Sequence, residues 1–157
     1  MQKEYNGKLY IAISCLLFLV SCNREVKLNP YSSFGYESLT DSYHSKTNTF
    51  ERRYSDDTIK IEIILTENER TKIIKAFSEN QFQEFSREID CSQWGTNPII
   101  YDELFIDDFS VKYIHNRSDG WFCSNGKRFN KINTIIQDVI LNKPEIKKIE
   151  SSDIAYE

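Results

Sequence analysis

Histidine and glycine are scarce in this chain, with two of the first and five of the second in 157 positions. Any nucleophilic or metal site built on imidazole must therefore use His44 or His115. His44 has Ser42 and Ser45 as neighbours and His115 has Asp119, yet no G-x-S-x-G elbow is present to present a serine to either. Both histidines read as surface or hydrogen-bonded side chains, and no catalytic residue is assigned. So few glycines leave no phosphate-cradling loop. Basic residues are not in excess either. The formal net charge is −4, so the clustered Lys and Arg that displace counterions from nucleic acid are missing, and nucleic acid is excluded as a partner. Close Cys and His groups of the zinc kind are absent, and Asp107-Asp108 lies in no EF-hand loop, so neither a metal nor a cofactor is expected.

A membrane-spanning run is lacking as well. The apolar stretch Leu9 to Val20 is about a dozen residues, against the roughly 20 that a spanning helix needs. Lys3 and Lys8 precede it and the small Ser21 follows, which is the charged, apolar, small order of an export signal. The run closes on Leu19-Val20-Ser21-Cys22, which resembles the lipobox of bacterial lipoproteins. The resemblance implies that the thiol of Cys22 is diacylated, that the peptide is cut before it, and that the new amino group is acylated too. Three chains exceed the two-signal threshold for stable anchoring, so the membrane is a partner through the N-terminal lipid. Asn23 is not the Asp that favours inner-membrane retention, and the implied location is the cell envelope, at the outer membrane.

Residues 1–21 are thus expected to be a signal peptide, 22–42 a lipid-anchored tether and lead-in, and 43–157 one domain. Of four cysteines, Cys15 leaves with the signal and Cys22 carries lipid, so Cys91 and Cys123 remain. In an oxidising compartment two thiols suggest one disulfide. Two separate buried thiols, or a redox pair without the usual C-x-x-C spacing, are the alternatives.

Along the domain, Tyr43 to Tyr54 is rich in Thr and aromatics and is followed by Thr58 to Thr66, where Ile59, Ile61, Ile63 and Leu65 alternate with polar positions. These predict a hairpin turned at Ser55-Asp56-Asp57. Thr66-Glu67-Asn68-Glu69 fits a capping box and starts a helix with Ile73, Ile74 and Phe77 on its apolar side. Ile99–Ile106 and Phe109–His115, separated by Asp107-Asp108, predict a second hairpin, and Lys127 to Leu141 a second helix bearing Phe129, Ile132, Ile136, Val139 and Ile140. The expected fold is α+β and two-layered: β-β-α-β-β-α, with an antiparallel sheet of about four strands and both helices on one face.

Consecutive carboxylates occur at Asp56-Asp57, Asp102-Glu103 and Asp107-Asp108. Neighbours on a strand point to opposite faces, so these read as turn formers and solvated charge rather than a converging acid pair. Trp94 and Trp121 each lie within a few residues of a candidate disulfide Cys, and with Tyr101, Tyr113 and Phe122 they form the candidate recognition surface; ordinary aromatic packing around a bridge is the competing reading. The expected function is a non-enzymatic, lipid-anchored binding or accessory module with a protein partner in the envelope. An immunity or inhibitor lipoprotein that neutralises a toxin is the alternative, followed by an unrecognised periplasmic hydrolase.

Overall fold

The computed structural model describes residues 28–91, 100–115 and 123–154. Seven strands, β1 (Phe34–Glu37), β2 (Asp41–His44), β3 (Thr49–Arg53), β4 (Thr58–Glu62), β5 (Glu88–Asp90), β6 (Tyr101–Ile106) and β7 (Phe109–Ile114), accompany two helices, α1 (Glu67–Glu79) and α2 (Ser124–Leu141). The strands form one sheet in the order β4-β3-β2-β1-β6-β7-β5. All neighbours are antiparallel except β5 and β7, which run parallel.

The α+β class stands, but the expectation of about four antiparallel strands is corrected to a mixed sheet of seven. Two of the additional strands come from the N-terminal side. β1 falls wholly in the stretch read as lead-in, and β2 straddles its end, because FGYE and DSYH are too short and too polar to show a sustained alternation. Their strand conformation depends on partners: β1 is zipped between β2 and β6. The predicted single segment Tyr43 to Tyr54 is the end of β2 and all of β3, turned around Asn48 at φ 53°. β5 is only three residues long and pairs with β7 without a hairpin turn between them.

The side chains sort by strand alternation into two faces. A transverse row of Ile61, Phe50, Tyr43, Tyr36, Leu104 and Val111 crosses six strands on the inner face, each residue opposite the next. The helices close over it. At the start of α1 the Thr66 hydroxyl accepts from the Glu69 N–H and the Glu69 carboxylate accepts from the Thr66 N–H, so the expected capping box is present. This sets Ile73, Ile74 and Phe77 inward, with the Phe77 ring 6.4 Å from that of Phe34. α2 begins three residues before the predicted start, with Cys123 at its N-cap, and buries the expected Phe129, Ile132, Ile136, Val139 and Ile140. Among the described residues no helix is long and apolar enough to cross a membrane.

Candidate functional site

The face of the sheet turned away from the helices is made by the alternate residues of the same strands. Its central row runs Lys60, Glu51, Ser42, Glu37, Glu103, Lys112 and Glu88, one from each strand in register. With Glu62, Arg53 and Asp90 added, six carboxylates stand against three cations. Some of this charge is compensated locally. The Lys60 ammonium bonds the Glu51 carboxylate at 2.6 Å and holds its carboxyl below the usual range, and Arg53 reaches Glu37 at 2.9 Å. Lys112 faces Glu103 across β6 and β7, but its ammonium lies over the Tyr101 ring, 4.6 Å from the centroid. Glu37 and Glu103 are direct cross-strand partners on the central strand β1 and its neighbour β6, an arrangement of like charges that weakens a sheet. Among the described residues Glu103 forms no ion pair.

Next to this pair the face is apolar. Gly35 lies opposite both His44 and Phe105, and its missing side chain leaves room for the Phe105 ring, which a Cβ at that position would strike. The Phe105 ring packs against that of His44, with centroids 4.9 Å apart and planes tilted by 32°. At one end of the face, Glu37, Ser38, Leu39, Arg53, Ile100 and Tyr101 line a cleft of about 320 Å³.

Compared with known proteins, the chain matches no family model, no curated protein and no solved structure.

Of the sequence-predicted recognition residues, Tyr101 is 41 % exposed on the open face, whereas Tyr113 is buried on the helix side, its ring stacked on Phe129 at 5.3 Å. The β6–β7 register separates the two, since Tyr101 stands opposite Ile114 and Tyr113 opposite Asp102. Trp94, Trp121 and Phe122 lie outside the described residues, as does the lipidation residue Cys22. Cys91 and Cys123 stand at disulfide distance, with Cα atoms 5.7 Å apart, joining the end of β5 to the N-cap of α2. Asp102 and Glu103 point to opposite faces, as expected of strand neighbours, and Asp107-Asp108 forms the β6–β7 turn.

The histidines also find separate places. His115 Nε2 lies 3.0 Å from the Asp102 carboxylate, which also accepts from Asn133 of α2 at 2.9 Å. Ser45, the serine beside His44, accepts from the Phe34 N–H at 2.7 Å and so closes the β1–β2 hairpin. Deeper on the inner face, Arg52 grips Asp41 with two bonds of 2.8 Å and donates to the Glu150 carbonyl at 3.0 Å. Asp41, Arg52 and Asp102 surround the Tyr36 hydroxyl electrostatically. Burial, then the Asp41 charge, pushes that phenol far above its usual range. Among the described residues the hydroxyl has no hydrogen-bond partner.

Residue reading missed the Glu37–Glu103 pair because Glu37 fell in the lead-in. The alternation in IIYDELFI does place Glu103 opposite the apolar face, but which residue stands beside it depends on the β1–β6 register.

Proposed function

We propose that the chain is a lipid-anchored envelope lipoprotein, held to the outer membrane by acylated Cys22, whose domain binds a basic protein through the open face of its sheet. It acts as a non-enzymatic module. The lipobox supports the anchor. The observation that carries the binding role is the Glu37–Glu103 pair: two carboxylates opposite each other on β1 and β6, on the face turned away from the helices, with one guanidinium to serve them, beside the Phe105–His44 ring contact. Like charges placed opposite each other cost stability, here offset only on the Glu37 side by Arg53, and such a departure from sheet design is characteristic of a surface kept for a ligand. A lysine or arginine of the partner would supply the missing counter-charge, and Phe105 an aromatic contact at its side. The acidic excess on this face also suits the immunity reading, in which the partner is a cationic toxin.

Two variants test the proposal. Cys22→Ser should lose lipid labelling and release the protein to the soluble fraction, and membrane retention without label would sink the anchor. Glu37→Lys/Glu103→Lys, keeping a native circular dichroism spectrum, should lose a cationic protein that the parent retains from envelope extract in a salt-sensitive manner. An identical retained set for parent and variant would remove the open face as the binding surface.

A further inference from the structure

The end of the domain nearest the tether carries an apolar feature that the open sheet face does not use. Tyr31 is 85 % exposed, the most exposed large hydrophobic residue described. It sits on a fixed turn: the Ser32 N–H donates to the Asn29 carbonyl and the Tyr31 N–H to the Asn29 side chain, both at 2.9 Å. Arg70 of α1 clamps that turn, donating to the Pro30 carbonyl at 3.2 Å and to the Ser32 carbonyl, while its guanidinium stands over the Phe34 ring. Beside the turn, Leu28 and Pro30 face Thr71, Ile74 and the Lys75–Glu79 pair of α1 across a groove of about 410 Å³.

We propose that this turn and groove are the surface on which the domain rests against the bilayer, with Tyr31 inserted at the headgroup level. The inference rests on the lipoprotein reading of Cys22. Six positions separate Cys22 from Leu28, a reach of at most about 22 Å even when fully extended. The anchored domain therefore cannot carry its Leu28 edge far from the headgroups, and it meets the surface at a tethered, high effective concentration. Tyrosine is suited to that boundary, because its ring is apolar and its hydroxyl wet. The attraction is apolar rather than electrostatic. Lys75 is paired with Glu79 at 3.5 Å, and at this end of the strands the exposed Lys46 of the β2–β3 turn is matched by Asp108 of the β6–β7 turn, so no net positive charge calls for an anionic leaflet. Docking there leaves the other end of the open face, at Tyr101, directed away from the bilayer.

The test places an indole at each end. Tyr31→Trp and Tyr101→Trp are made separately in the full chain, purified from membranes, and reconstituted in phosphatidylcholine vesicles with and without lipid brominated near the glycerol end of its chains. Emission of the parent, which has Trp94 and Trp121, is subtracted. The mass of the N-terminal peptide is measured first. If Cys22 proves unacylated, the lipoprotein reading falls and the docking inference with it. With acylation present, the added emission of the Tyr31→Trp variant should shift to the blue and be quenched to less than half by the brominated lipid, unchanged by added salt, while that of the Tyr101→Trp variant stays unquenched. Solvent-like, unquenched emission from the acylated Tyr31→Trp variant would overturn the docking surface and leave the anchor intact. A blue shift without bromine quenching that grows with protein concentration would assign the surface to a second copy of the chain, and would equally overturn it.

Discussion

Replacing Tyr36 by Phe removes one oxygen from the middle of the sheet, and the structure sets both the sign and the size of the effect. Tyr36 is 1 % exposed, and its hydroxyl has no partner among the described residues. A buried polar group without a hydrogen bond costs about 1–3 kcal/mol relative to water. Deleting it should therefore stabilise the domain at neutral pH by about 1 kcal/mol, once the small gap left behind is counted, or by about 3 °C in Tm. The alkaline limb gives an independent check. Burial pushes the folded-state pKa of Tyr36 far above 10 and that of Tyr43 up to about 12. Above about pH 10 the unfolded chain releases both protons while the folded one keeps them. Folded tyrosines with raised pKa values thus give stability that is complete below the unfolded pKa and is lost as pH rises, at about 1.4 kcal/mol per pH unit for each group. Between about pH 10 and 12 both phenols contribute to this slope in the parent; in Tyr36→Phe only Tyr43 remains. Guanidinium unfolding at neutral pH and at several alkaline values, followed by far-ultraviolet circular dichroism, measures both limbs. A variant less stable than the parent by more than about 1 kcal/mol at neutral pH would show that the hydroxyl is bonded, and an unchanged alkaline slope would show that burial does not raise the phenol; either result refutes the reasoning.

Other perturbations probe other layers. Reduction of the Cys91–Cys123 pair, or its double replacement by Ala, opens a loop spanning a sequence separation of 32 and should cost about 3.7 kcal/mol, read as a Tm lower by about 10 °C; free alkylation without reduction would mean the two thiols are unbonded. Arg52→Leu leaves the Asp41 carboxylate buried beside Tyr36 and should cost about 3 kcal/mol in denaturant unfolding, whereas adding Asp41→Leu should restore much of that loss. Gly35→Ala forces a Cβ against the Phe105 ring and the Tyr43 carbonyl, and a loss of about 1–3 kcal/mol is expected in thermal melts. Adding Phe105→Ala should recover only the ring's share.

The parts of this fold that could be read in residues are those whose signal is local. The Ile59-Ile61-Ile63 alternation, the Thr66–Glu69 reciprocal cap, the apolar stripe from Phe129 to Ile140 and the Asp107-Asp108 turn each complete their pattern within one element, and each is present. What escaped is set by distant partners. FGYE is a strand because Tyr36 meets Tyr43 on one side and Leu104 on the other; alone, its four residues offer a glycine and no period. EID of β5 is held by β7 and by the neighbouring Cys91–Cys123 pair. The same limit applies to the candidate site. Alternation tells that Glu103 and Tyr101 share a face, but that Tyr113, grouped with Tyr101 in the sequence, lies on the other face follows from the β6–β7 register, which sets Tyr101 opposite Ile114. That Glu37 stands beside Glu103 follows only from pairing across the middle of the chain.

That central pairing also orders events in time. β1 to β4 is a meander of consecutive hairpins, complete once residue 62 is available, while β1 finds β6 only across about seventy intervening positions. Chain closure over that distance is the slow, entropically costly contact of the sheet. A chain emerging N-terminus first therefore carries a four-stranded half-sheet whose inner border, the β6-facing edge of β1, is open, on a strand that bears Phe34 and Tyr36. Until β6 arrives, that border is a template for any extended segment nearby. Premature stops between β4 and β6 should accordingly yield insoluble, strand-rich material rather than a soluble subdomain, and the tract from Tyr101 to Ile106, supplied as a peptide, is the natural sequence to keep such a fragment in solution.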